Sequence, residues 1–190
     1  MEHTDRRDVI EVLAHDHREV ADMFAKLESG AIGDARNRKA VVDQVIIELS
    51  RHSVAEEEYL YPAVRKLVPG GDAMADREIQ EHAEAEVLMK ALDGMDPSDP
   101  AFTPKLTELM AAIRAHIAEE EGDLFPKLVA NSTPDQLQEL GAKVIAAKKL
   151  APTHPHPSGP DTPPGDKLLA PVLGLIDKVR DAVTHRGSGS

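Results

Sequence analysis

Histidine and glutamate recur at helical spacing in two places. His52 and Glu56 stand in the stretch HSVAEEEYLYP, and His116 and Glu120 stand in HIAEEEGDLFP, 64 residues further on. Both stretches follow the pattern H-x-x-x-E-E-x-x-L-aromatic-P. Residues four apart lie one above the other on a single helix face. Each stretch therefore presents an imidazole and a carboxylate in one direction. Two such helices facing each other would aim two imidazoles and two carboxylates at one spot, which is the chemistry of a metal site, and with two bridging carboxylates of a two-metal one.

The duplication extends to the helices that must stand beside these two. HREVADMFAKL from His17 matches HAEAEVLMKAL from His82 at an offset of 65. The chain thus carries a repeated pair: a helix with one histidine, then a helix with His and Glu. Four core helices are expected, over about 5–29, 35–61, 72–93 and 103–125. Gly30 and Gly94 close the first and third, and Pro62 is expected to stop the second. Thr103 and Pro104 are expected to open the fourth as N-cap and first helical residue. Short connections make consecutive helices antiparallel neighbours. The sequence Thr133-Pro134-Asp135-Gln136 reads as a capping box for a shorter helix to about Lys149. A Pro-rich linker follows over about 150–166, then an amphipathic segment over about 171–184 and a Gly/Ser tail.

Each of His17, His52, His82 and His116 falls on the apolar stripe of its own helix. One such histidine is most simply a hydrogen-bonded core residue. Four together, with two inward carboxylates, would be costly to bury without a compensating cation. Imidazole and carboxylate without thiolate suit iron, manganese, zinc or copper, and iron is the usual occupant of paired sites in helix bundles.

Composition narrows the classes. The 190 residues hold no cysteine, which excludes disulfides, thiolate-held zinc, iron–sulfur clusters and thiol catalysis. A net charge of −12 argues against a nucleic-acid partner. No apolar run is long enough to span a membrane, and the charged N-terminus lacks the apolar core of a signal peptide, so the expected location is cytoplasmic. Few aromatics and abundant Ala, Leu, Glu and Lys favour helix.

At the level of these motifs the chain resembles the hemerythrin-like family of HHE cation-binding proteins: His17 in HDHRE, His52 and Glu56 in the first H-x-x-x-E stretch, His82 in EHAEAE, and His116 and Glu120 in the second. The likeness covers about residues 8–130. It implies an all-α, up-down four-helix bundle over 1–130 around a non-haem di-iron centre, two irons joined by carboxylates and an oxo or hydroxo bridge. Residues 131–190 then form a C-terminal helical, Pro-rich extension. The chain departs from the oxygen-carrying members of the family, whose third helix holds a His-x-x-x-His pair. Here Glu78 stands four before His82, either as a further ligand or as a helix-start carboxylate. Glu121 is a fallback for Glu120. Tyr59, seven after His52 and three after Glu56, is expected to face the site as a phenolate ligand and catalytic group, or as a cap that packs or hydrogen-bonds there. Its repeat counterpart Asp123 faces the same way, whereas Tyr61 is expected to point elsewhere. His15 faces away on the first helix, and His154 and His156 lie in the linker. The remaining acidic runs, Glu57, Glu58 and Glu119 among them, read as a solvated face.

The expected metal set is therefore His17, His52, Glu56, Tyr59, Glu78, His82, His116 and Glu120. Anionic donors favour the ferric state, which disfavours reversible O2 carriage. The expected function is a peroxidase- or catalase-like oxidoreductase for O2, hydrogen peroxide or NO in oxidative or nitrosative stress defence. The alternative is an iron, oxygen or NO sensor or O2-binding regulatory module that acts through its extension. The expected partners are small diatomic or peroxide ligands. A monomer or homodimer is expected, with 131–190 as the place where a protein partner would dock.

Overall fold

A computed structural model describes residues 7–155. They form helices α1 (Val9–Glu28), α2 (Ala35–Ala55), α3 (Tyr61–Leu67), α4 (Gly71–Asp93), α5 (Phe102–Glu119), α6 (Phe125–Ala130) and α7 (Pro134–Leu150). No strand occurs among the described residues. The amphipathic segment expected at 171–184 and most of the Pro-rich linker lie outside them.

Local chemistry accounts for most helix ends. Asp8 accepts from the Glu11 N–H while the Glu11 carboxylate accepts from the Asp8 N–H, a reciprocal cap that starts α1. Thr133 and Gln136 do the same for α7, as the sequence predicts. α5 departs from expectation. It begins at Phe102 with no side-chain cap, and Thr103 already lies within the helix, where its Oγ1 accepts a bond from Arg38 Nη1 at 3.2 Å. The turn before it is held instead by Asp96 and Asp99, which accept from the backbone of Ser98 and Ala101.

Neither proline stops its helix. α2 runs through a π-helical turn, Glu56–Leu60, into α3, and α5 runs through a second, Glu120–Leu124, into α6. In each, the N–H of the residue before the proline bonds back five residues: Tyr61 to the Glu56 carbonyl and Phe125 to the Glu120 carbonyl. Pro62 and Pro126 have no N–H to donate and their rings crowd the preceding turn. A widened turn relieves that crowding without ending the helix.

The core has two apolar clusters with a polar layer between them. One holds Leu13, Leu60, Tyr61, Val64, Leu124, Phe125 and Leu128, together with Leu137, Leu140 and Val144 of α7. The other holds Val20, Phe24, Val45, Leu49, Leu92, Phe102, Leu106 and Ile113. Along α1 the order is Leu13, His17, Val20; along α2 it is Leu49, His52, Ala55. The opposite order of clusters on successive helices is the antiparallel bundle, and α1, α2, α4 and α5 all cross the same polar layer. Gly71 lets α4 start against the α3 backbone: a Cβ there would lie 2.1 Å from the Val64 carbonyl oxygen. Gly122, in the second π turn, has open space at its Cβ position. Gly71→Ala is therefore expected to destabilise the protein by about 1–3 kcal/mol through overpacking. Gly122→Ala should be neutral or stabilise by up to about 1 kcal/mol. Denaturant unfolding of the two variants side by side checks the contrast.

Candidate metal centre

Four buried imidazoles meet in the polar layer as two pairs. His17 and His52 place their Nε2 atoms 3.3 Å apart, and His82 and His116 place theirs 3.1 Å apart. Two nitrogens bound to one ion at about 2.0–2.1 Å and near a right angle are about 3 Å from each other. Glu56 and Glu120, both fully buried, stand between the pairs. Glu56 Oε2 is 3.0 Å from His52 Nε2 and 3.4 Å from His82 Nε2. Glu120 Oε2 is 3.4 Å from His17 Nε2 and 3.6 Å from His116 Nε2. Each carboxylate thus touches one histidine of either pair, the arrangement of a bridge. The donor atoms fall into overlapping groups: His17, His52, Glu56 and Glu120; Glu56, His82 and His116; Glu78, His116 and Glu120.

The second ring nitrogen of every one of these histidines faces a carboxylate. His17 Nδ1 lies 2.8 Å from Glu121, His52 Nδ1 3.3 Å from Asp16, His82 Nδ1 2.9 Å from Glu57 and His116 Nδ1 2.9 Å from Glu81. A carboxylate that accepts Nδ1–H fixes the ring's orientation, leaves Nε2 as the donor and raises its basicity. These partners are themselves duplicated. Asp16 and Glu81 each precede a core histidine by one residue, and Glu57 and Glu121 each follow a core glutamate by one. Two of the four partners are thus Glu57, read from the sequence as part of a solvated face, and Glu121, read there as a fallback ligand. A neighbour one residue along a helix points about 100° away, far enough to reach a different helix's histidine.

The two π turns decide which aromatic side chains reach the centre. A five-residue step puts Tyr61 over Glu56, and Phe125 over Glu120. The Tyr61 hydroxyl donates to Glu120 Oε1 at 3.2 Å and lies 3.1 Å from His82 Nε2. Phe125 stacks on the His17 ring, 5.7 Å between centroids and 5° from parallel. Tyr59, expected to face the site, instead lies half-buried against the apolar cluster that contains Val9 and Leu13. Asp123 is also turned outward, where it pairs with Lys127. The sequence did contain the signal: both repeats hold an aromatic residue immediately before the proline.

Two positions break the internal symmetry. Glu78 is fully buried and its Oε2 lies 3.1 Å from His116 Nδ1, whereas the corresponding residue of the first repeat is the apolar Leu13. Tyr61 brings a hydroxyl where Phe125 brings a hydrocarbon face. Both polar members belong to the side of His82 and His116. The side of His17 and His52 has neither. Next to it lies a cavity of about 10 Å³, lined by all four histidines and by Val20, Leu49, Ile113 and Ile117. A cavity of that size holds about one water-sized molecule.

The charges demand a cation. Both oxygens of Glu56 and of Glu78, and Oε2 of Glu120, are buried and accept no hydrogen bond among the described residues. Glu56 and Glu120 lie close to imidazole nitrogens, and Glu78 lies close to His116 Nδ1 and, at 3.5 Å, to Arg77 Nη2. Burial opposes charge on His52, yet Glu56 and Asp16 push its pKa up to about 10. Burial likewise opposes charge on His82, and Glu56 and Glu57 push it to about 10. His116 is raised against its own burial by Glu78, Glu120 and Glu56. Burial would raise Glu56, but His52 and His82 hold it well below the usual carboxylate range. Burial and the surrounding carboxylates raise the Tyr61 phenol well above its usual range, so it stays a donor. The protein field calls for positive charge at the Nε2 atoms, which protons or metal ions supply.

A family model, the hemerythrin HHE cation-binding domain, matches residues 8–128. The chain belongs to this family. An uncharacterised hemerythrin-like protein of Schizosaccharomyces pombe is 31% identical over 91% of this chain and 85% of its own length. A protein of Nostoc named as a DNA nickase is 28% identical over 76% of this chain, which spans only 41% of that protein. The solved structure of an HHE cation-binding domain-containing protein from Mycobacterium kansasii superposes with a TM-score of 0.65 at 24% identity, over 75% of this chain and 86% of that one. That likeness supports the fold. The family model ends before α7, whereas the match to the yeast protein leaves only about a tenth of the chain uncovered and so runs beyond that helix.

Of the residues singled out in the sequence, His17, His52, Glu56, Glu78, His82, His116 and Glu120 come together in this HHE bundle. His15 is exposed beside Glu19, and His154 pairs with Asp93 at the far end of α4. His156 lies outside the described residues.

Two outcomes are expected. Metal uptake by the metal-free protein should release protons, because His52 and His82 hold them up to about pH 10; affinity should fall as pH falls. Calorimetry in buffers of differing ionisation enthalpy reads that release. The same groups should stabilise the metal-free fold fully below about pH 6.5, the usual imidazole value, and lose that contribution as pH rises towards 10. Separately, Tyr61→Phe leaves a buried carboxylate oxygen without its donor and should cost the metal-free protein about 1–3 kcal/mol in denaturant unfolding.

Proposed function

We propose that this centre holds two iron ions and that the protein is a non-haem di-iron oxidoreductase for small oxidants, with a peroxidase- or catalase-like role in oxidative or nitrosative stress defence. The observation that carries the reading is the pair of Nε2-facing imidazoles on either side of two shared, fully buried carboxylates, next to a cavity with room for about one small molecule. His17 and His52 would hold one ion, His82, His116 and Glu78 the other, with Glu56 and Glu120 common to both. When bound, iron would supply one-electron chemistry and a coordination position for peroxide, O2 or NO.

The chain's own residues would do the rest. Val20, Leu49, Ile113 and Ile117 keep the cavity narrow, which would restrict the centre to small molecules. Tyr61 holds a proton 3.2 Å from Glu120 Oε1 and positions that carboxylate. Three carboxylates among four imidazoles favour the ferric state over the ferrous, which supports turnover rather than reversible carriage. The four carboxylates behind Nδ1 strengthen the same preference.

A second reading, sensing through the C-terminal extension, has one observation in its favour. α7 packs on α1 with its apolar face in the same cluster as Val9, Val12 and Leu13. A partner that displaced α7 would disturb the helix that carries His17.

Protein produced with ample iron and purified without chelator should contain about two irons per chain, and Glu56→Ala or Glu120→Ala should lower that content and reduce peroxide consumption by about 100-fold or more. A fully folded protein with no bound transition metal, or one that binds O2 reversibly through many cycles without autoxidation, would overturn the proposal.

A further inference from the structure

The four carboxylates behind the imidazoles are not equivalent. Glu121, Glu57 and Glu81 stand at the ends of exposed or partly exposed side chains, but Asp16 is buried. Its Oδ2 faces His52 Nδ1 at 3.3 Å, and its Oδ1 meets Lys148 Nζ at 2.5 Å. Lys148 belongs to α7, twenty residues past the end of the family match. Its side chain is only 19% exposed, so the ion pair is weakly screened. The repeat counterpart of Asp16, Glu81, pairs with His116 alone among the described residues.

The placement of Lys148 is built into the fold. The Thr133 cap sets where α7 starts. Leu137, Leu140, Val144 and Ala147 bury its stripe against the first turns of α1. Gly141 fixes the closeness of approach: a Cβ there would lie 2.5 Å from the Arg7 carbonyl oxygen. Two turns on from Gly141, Lys148 arrives at Asp16, two turns on from the start of α1.

We infer that α7 is a working part of the metal centre: Lys148, acting through Asp16, sets the donor strength of His52 and adds to the inequality of the two metal positions. This rests on the reading of the cluster as a two-metal site. A carboxylate that shares its charge with an ammonium group pulls less on the Nδ1–H it accepts. The imidazole then gives less electron density through Nε2. Lys148 thus tempers the pull of Asp16 and holds the His17/His52 position to weaker binding of a highly charged ion. Neutralising Lys148 leaves the whole Asp16 charge to His52, which tightens metal binding there. Lys148 is a positioning residue, since it touches Asp16 rather than an ion.

The test uses the full chain, stripped of metal and titrated with Zn²⁺ against a chromophoric chelator. Wild type should bind in two resolvable steps. Lys148→Met should tighten one step by about tenfold and leave the other within about twofold, a change in the range that such supporting partners exert. Lys148→Arg should restore wild-type behaviour, and Lys143→Met, which breaks a surface pair with Glu139, should do nothing. In an Asp16→Asn background, Lys148→Met should have no further effect. Lys148→Gln serves if the Met variant folds poorly, as judged by far-ultraviolet circular dichroism. Unchanged or equally shifted steps in a folded variant, or the same shift with Asp16 already neutral, would overturn the inference while leaving the metal site intact. A wild-type chain that takes up no Zn²⁺ would overturn both.

Discussion

Three carboxylates with no exposure to solvent, Glu56, Glu78 and Glu120, sit in the middle of this bundle, and the rest of the structure answers to them. Carboxylates taken out of water cost several kcal/mol each unless positive charge and hydrogen bonds replace the lost solvation. Five of their oxygen atoms accept no hydrogen bond among the described residues. Four imidazoles turn Nε2 toward Glu56 and Glu120, Glu78 meets His116 at Nδ1, and four further carboxylates stand behind with their charge on Nδ1. Such a layer needs positive charge, which protons on the imidazoles or bound metal ions supply.

The apolar clusters on either side are what make the layer work. They hold the helices in antiparallel register, so that side chains from α1, α2, α4 and α5 arrive at one height. They also exclude water, which strengthens every electrostatic contact between them. Internal duplication explains why one layer suffices: two copies of a helix pair contribute matching inward groups and, at matching positions, carboxylate partners. Function enters where the copies differ. Glu78 against Leu13, Tyr61 against Phe125, and Asp16 with its lysine against Glu81 without one all distinguish the two sides of the centre.

Much of this was legible in the residues. Periodicity and the glycine punctuation placed the four core helices, apart from the two that run on past their prolines, and the duplicated H-x-x-x-E motif together with the two lone-histidine helices identified six inward side chains. Glu78 was legible too, as a charged residue on an otherwise apolar stripe. The reading failed where it assumed a uniform 3.6-residue pitch past Glu56. Tyr59 and Asp123 lie on the right face only of an unbroken α-helix, and a proline three residues beyond each forces a wider turn that carries the face on to Tyr61 and Phe125.

Residue types and their spacing along single helices were determined by the sequence alone, because a side chain's direction on a regular helix follows from its position. That suffices for the family, the helical class and the presence of a cation-binding cluster. Tertiary structure decided whatever depends on contacts between helices. It assigned Glu57, Glu81, Glu121 and Asp16 each to a histidine on another helix, turned Tyr61 rather than Tyr59 to the centre, and brought Lys148 of α7 onto Asp16 of α1. No local pattern encodes such pairings, since they depend on the height and rotation at which packed helices meet, and those are set by the core as a whole.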